Sequence, residues 1–154
     1  PRIVNKASAY FFGMKEYHTF GHMSRALPEG IGYSLNLMKE VLEENEVRVN
    51  EIVVGGSGSK DDLWCQILAD IFNIKTVRSV TRDSTLVGGA ILAFTALGKY
   101  EDIEEATQVM VEKGKEFTPI EENVEVYKDG YTFFKEMLEK YREAYDLHSQ
   151  LFEG

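Results

Sequence analysis

Apolar positions along the chain follow two periods. Met23, Leu27, Ile31, Leu35, Met38 and Leu42 recur at three- and four-residue steps. That is the apolar face of an amphipathic helix running to about Glu46. Pro28 sits inside the pattern, so the helix either begins nearer Leu27 or bends there. Ile52, Val53 and Val54 form a continuous apolar run, as in a strand covered on both faces. Leu63, Ile67, Leu68 and Ile71 give a second helix over residues 61–72, and the β-branched alternation of "KTVRSV" at 75–80 gives a second strand. Strand, helix and strand in close succession predict a parallel βαβ crossover.

The second half reads as mostly helical. Residues 86–98 form a helix crowded with small side chains, Gly88, Gly89, Ala90 and Ala93. Each helical glycine costs roughly 1 kcal/mol against alanine, so a close approach of backbone or ligand is expected there, with Gly98 as the C-cap. Residues 101–113 read as a helix opened by acids that suit its positive end, and "FTPIEENVEV" as a connecting loop. Tyr127, Tyr131, Phe134, Leu138, Tyr141 and Tyr145 then trace one long helix whose aromatic stripe is expected to pack a core. Residues 1–21, aromatic and without a clean period, read as a short extended piece and a loop. The result is a helix-rich α/β chain with a βαβ unit, and two strands are too few for a sheet of their own. The chain also begins at Pro1 rather than at methionine, so part of the fold is expected to lie outside the sequence.

Composition narrows the partners. The 154 residues are 44% hydrophobic and 28% charged, ordinary for a globular domain, with a formal net charge of -9 from 17 basic and 26 acidic side chains. Such a chain has little to drive nucleic-acid binding. No apolar run approaches the roughly 20 residues of a membrane span, and no signal-peptide pattern opens the sequence. The single cysteine, Cys65, cannot form an internal disulfide, so a reducing cytoplasm is the expected compartment.

Candidate chemistry centres on "EIVVGGSGSKDDLW", residues 51–64. Strand, glycine turn and helix form a common nucleotide-holding arrangement, and a plain tight connection explains the same glycines. The turn is not a P-loop, because no hydroxyl residue follows the lysine, and it is not a dinucleotide fingerprint, because Asp61 stands where a third glycine is required. Asp61 and Asp62 open the next helix as capping acids. Two carboxylates do not suit a helix end that holds a pyrophosphate, so the turn fits an uncharged ligand part, an adenine or a ribose. His18 and His22 share a helical spacing without a third ligand type, and no metal site is expected there. No nucleophile-and-base arrangement is visible, so no catalytic residue is assigned. Cys65 beside Trp64 reads as an inert buried thiol.

Taken together, these segments resemble the C-terminal domain of the FGGY carbohydrate kinases, a family with the actin-like, ribonuclease-H-like fold. The resemblance is carried by Gly13, His18, His22, Arg25, Ala26, Glu29 and Gly30 in "FFGMKEYHTFGHMSRALPEGIGYSL", by "GGSGSKDDLWCQILADIF", by "DSTLVGGAILA" and by "FTP" with Tyr127 and Tyr131. It covers nearly the whole of residues 1–154 in the right order, and the motifs look most like the xylulokinase branch. It implies transfer of the γ-phosphoryl group of ATP, with Mg2+, to a hydroxyl of a sugar or polyol, xylulose or another ketopentose being the leading substrate. Carried over, Gly56, Ser57 and Lys60 would contact adenine, ribose or the nearby α-phosphate, Gly55 and Gly58 would shape the turn, and the helix at Gly88 to Ala93 would pack behind the pocket. Ser57, Asp61, Asp83 and Pro28 depart from the family's common residues. The Asp-Gly-Thr phosphate loop, the second phosphate loop and the aspartate base find no match here. The resemblance thus implies the C-terminal part of a longer two-domain kinase, with the sugar bound mainly by the missing N-terminal domain. This chain alone would be inactive, and a homodimer is the candidate assembly. Two rival readings are a non-catalytic actin-like nucleotide-binding regulator and a helical protein-interaction domain.

Overall fold

The computed structural model describes residues 9–81 and 83–152. The extended piece expected at residues 1–8 lies outside them. Two compact units result, one built from the residues up to 49 and from 120 onward, the other from residues 50–119.

The first unit pairs α1 (Phe20–Glu44) with α5 (Glu121–Lys140) and α6 (Arg142–Phe152). Helix α1 starts before the periodic apolar residues because His22 reaches back to its first turn. The Thr19 backbone N–H donates to His22 Nδ1 at 3.0 Å, the reciprocal half of a capping box. The helix runs through Pro28, whose missing N–H leaves the Ser24 carbonyl without its helical donor. The apolar face found by periodicity is not the face that α1 buries. Leu27, Ile31, Met38 and Leu42 are exposed, and Gly32 and Asn36 are buried. Facing α5, Arg25 donates from Nη2 to the Tyr127 hydroxyl at 2.6 Å, and that hydroxyl donates to Glu29 Oε1 at 2.9 Å. Tyr127, Tyr131 and Tyr145 are buried, so the aromatic stripe packs a core as expected. It belongs to two helices, divided at Tyr141. The segment from Glu121 is helix rather than loop, its first turn carrying Glu121 and Glu122.

The phenols of this unit report their burial. Burial, with the Glu29 charge second, pushes Tyr33 up to about 12, and burial is also the leading cause that raises Tyr127, Tyr131 and Tyr145. An unfolded phenol ionises near pH 10. The stabilisation from keeping these phenols neutral is therefore complete below about pH 10 and is lost as pH rises through the folded values. Alkaline titration should show helix loss and phenolate absorbance rising in one cooperative step above that pH. Phenolates appearing at their ordinary pH with the helices intact would contradict this packing.

The second unit contains a three-stranded sheet in the order β1-β2-β3. Strands β1 (Ile52–Val54) and β2 (Thr76–Ser79) are parallel, Val53 opposite Val77, with α2 (Asp62–Phe72) as the crossover. Cys65, Ile67, Leu68, Ala69, Ile71 and Phe72 of α2 are buried, as are Val77 and Phe117. Strand β3 (Lys113–Phe117) runs antiparallel to β2 and stands where helix and loop were expected. The segment is rich in good helix formers, so pairing with β2 overrides local preference. Helices α3 (Ser84–Ala96) and α4 (Ile103–Met110) lie between β2 and β3 in the chain, and Gly98 follows α3 with φ +71°, the left-handed conformation of a helix stop. Among the described residues no helix is long and apolar enough to cross a membrane.

Candidate functional site

Strands β1 and β2 point the same way, so their C-terminal ends open on one edge of the sheet. That edge is where open α/β sheets hold ligands. The chain leaves β1 through Gly55 and Gly56, makes a 3₁₀ turn over Ser57–Lys60, and enters α2. It leaves β2 for the start of α3 at Ser84. Five residues singled out in the sequence, Gly55, Gly56, Ser57, Gly58 and Lys60, are thus brought together in one turn.

Each glycine there has a different reason. A Cβ on Gly55 would meet Ser84 Oγ at 1.9 Å and Ser84 Cβ at 3.1 Å, so Gly55 lets the turn close against the start of α3. Gly56 has φ +82° and ψ -172°, a conformation essentially restricted to glycine. Gly58 has neither need: its φ is ordinary, and a Cβ there would sit at normal contact distance, 3.6 Å from Trp64 Nε1. The bare backbone at Gly58 therefore serves neither packing nor turn geometry, and its face is exposed, as are Ser57 and Lys60. The turn is fixed from below. Ser59, buried, donates from Oγ to the Gly56 carbonyl at 2.8 Å, and the Cys65 thiol donates to the Ser59 carbonyl at 3.3 Å. Cys65 is thus a buried support of the turn. Ser84 was not singled out in the sequence. The signal was its place directly after Asp83, which caps α3 by accepting from the Leu86 N–H at 3.1 Å.

The acids at the start of α2 divide their work. Asp61 is the cap, its Oδ1 accepting from the Leu63 N–H at 2.9 Å. Asp62 instead forms ion pairs with Arg78 of β2 and Lys115 of β3. Lys115 first and Arg78 second hold its carboxyl below the usual carboxylate range. One of the two negative charges counted against a phosphate is thus neutralised by the sheet, and Lys60 is exposed.

Other expected features fall elsewhere. Nothing lies within 4 Å of a Cβ placed on Gly88 or Gly89, so no described protein atom packs against these two glycines. Leu86 of that helix and its C-cap Leu97 are 71% and 80% exposed. Gln66 and Asp70 serve packing: Gln66 Nε2 donates to Asp70 Oδ1 at 2.8 Å and to the Thr118 carbonyl at 2.9 Å. The Nδ1 atoms of His18 and His22 accept the backbone N–H groups of Lys15 and Thr19, which places each ring proton on Nε2.

Comparison with known proteins matches residues 1–97 to the family described as "FGGY family of carbohydrate kinases, C-terminal domain". The chain is 32% identical over 151 residues to the xylulose kinase of Bacillus subtilis, covering 98% of this chain and 30% of that protein. It is 30% identical to the xylulose kinase of Lactococcus lactis, covering 99% of this chain and again 30% of the relative. Among solved structures, the ligand-bound xylulose kinase of Lactobacillus acidophilus superposes with a TM-score of 0.81 at 26% identity, over 94% of this chain and 29% of that one. The gluconate kinase of the same organism gives 0.76 at 25% identity. The chain therefore spans about 30% of the length of the curated relatives it matches.

Proposed function

This chain belongs to the FGGY family of carbohydrate kinases, and on that premise we propose that it supplies the adenosine half of an ATP site. The whole protein would be a cytoplasmic kinase that moves the γ-phosphoryl group of ATP to a hydroxyl of a sugar or polyol, a ketopentose such as xylulose being the leading substrate. The observation that carries the reading is the turn at the C-terminal ends of two parallel strands. It has a bare Gly58 face and an exposed Ser57 and Lys60. A flat base can lie on bare backbone, and Lys60 can meet an α-phosphate.

Phosphoryl transfer also needs phosphate loops, magnesium and a group that orients the nucleophile. Among the described residues no three His, Cys, Asp or Glu side chains converge on a metal position. Magnesium would be held chiefly by the phosphates of the nucleotide. Three surfaces support a place inside a longer fold. The apolar stripe of α1 is exposed, α3 is apolar on all sides with Ile91 its one buried residue, and the outer edge of β1 is β-branched and uncharged. The β3 edge, by contrast, carries Lys113 and Lys115, as free edges do.

The test is Gly58→Ala in the kinase that carries this domain. Stability should stay level, since the added methyl would rest at ordinary contact distance from Trp64. The KM for ATP should rise about tenfold, ~1.4 kcal/mol of lost binding, with the sugar KM unchanged. An unaltered ATP KM would remove the turn from the nucleotide site. The chain alone should bind nucleotide without phosphorylating a sugar, and turnover by it would overturn the half-site reading.

A further inference from the structure

We propose that Asp62 is a positioning residue for nucleotide binding, a clamp that holds the glycine turn against the sheet. This rests on the adenosine reading above. Asp61 closes the 3₁₀ turn and opens α2, so turn and helix share a residue and move together. The next residue, Asp62, offers one carboxylate oxygen to Arg78 on β2 and the other to Lys115 on β3. Both cations lie over the ring of buried Phe117, with centroid distances of 5.4 and 5.1 Å. The bridge thus ties the first turn of α2 to two strands and is anchored on a core side chain.

Isolated surface bridges contribute little because two long side chains must be ordered to form them. Here the stems already rest on Phe117, so less freedom is lost on pairing. Without the carboxylate charge, α2 keeps its Asp61 cap and loses its tie to the sheet. The turn would then have to be ordered at the expense of ligand binding. The consequence falls on nucleotide affinity and spares phosphoryl transfer, for which this chain supplies no group.

The experiment is Asp62→Asn in the kinase that carries this domain, with adenosine as a competitive inhibitor against ATP. The ATP KM and the adenosine Ki should both rise about fivefold, the upper range for such a pair. The values of kcat and the sugar KM should stay within about twofold, the pattern of lost uniform binding. Adenosine is uncharged, so salt dependence of its Ki reports the clamp. The wild-type Ki should weaken as salt screens the bridge, the Asp62→Asn value should be flat, and Asp62→Glu should restore the wild-type pattern. A wild-type Ki indifferent to salt would overturn the proposal. So would a variant that loses kcat, sugar KM and melting temperature together with ATP KM, since that is a general folding defect. Adenosine that fails to inhibit the wild type would instead sink the adenosine reading, and the clamp with it.

Discussion

Gly55→Ala is expected to destabilise the second unit by about 2 kcal/mol, the middle of the range for overpacking. The readout is a lowered denaturation midpoint at unchanged slope. The clash has two layers. The Ser84 oxygen at 1.9 Å can rotate away, but the Ser84 Cβ at 3.1 Å cannot. Ser84 begins α3, whose start is fixed by the Asp83 cap, so the backbone there does not yield freely. Ser84→Ala should therefore rescue Gly55→Ala only in part, a coupling of about 1 kcal/mol, and Ser84→Gly nearly in full, a coupling approaching ~2 kcal/mol between touching residues. Gly56→Ala should cost a similar amount, on the order of 1–3 kcal/mol, from backbone strain. Nothing lies within 4 Å of its added methyl, so no neighbouring substitution should rescue it. Adjacent glycines thus fail for different reasons, and only the first has a suppressor. A Gly55→Ala protein with an unmoved midpoint would show that the turn does not close on α3.

What the sequence made legible follows from which forces act locally. Strand β1, helix α2 and strand β2 were readable because pattern, cap and turn chemistry agree over residues 52–79, and their parallel pairing followed from the crossover. That Gly55 to Lys60 form one turn was readable for the same reason, since a strand-turn-helix connection keeps them together. The division of labour between Asp61 and Asp62 was not readable, because it depends on Arg78 and Lys115 arriving from strands 16 and 53 residues away. Strand β3 was hidden behind a helix-forming composition. The start of α5 was read as loop although the acid-first rule applied to α4 would have found it, since Glu121 and Glu122 satisfy it. The α5–α6 break at Tyr141 has no glycine or proline to mark it. The face buried by α1 was not readable, because periodicity finds an apolar stripe without saying what covers it. Here Gly32 and Asn36 pack inward, and Leu27, Ile31, Met38 and Leu42 of the stripe are exposed.

Gly130 gives the sharpest test of that inward face. It lies inside α5, where glycine to alanine in an open helix would stabilise by about 1 kcal/mol. A Cβ there would meet the Tyr33 hydroxyl oxygen of α1 at 2.2 Å and Tyr33 Cζ at 3.1 Å. The ring cannot swing clear, because Tyr127, Tyr131 and Phe134 surround it at centroid distances of 6.2, 5.9 and 5.6 Å. Overpacking at about 3 kcal/mol then exceeds the propensity gain, and Gly130→Ala should destabilise by about 2 kcal/mol. Tyr33→Phe removes the nearest atom and leaves the Cζ contact, which a shift of a few tenths of an ångström relieves. In that background Gly130→Ala should cost almost nothing or stabilise, so the sign of one substitution is set by a single oxygen on the facing helix. Chemical denaturation of the four proteins of this cycle decides it. A Gly130→Ala protein stabilised in the presence of Tyr33 would mean that α1 and α5 are not pressed together at Gly130, and that the buried Gly32 face has another cause.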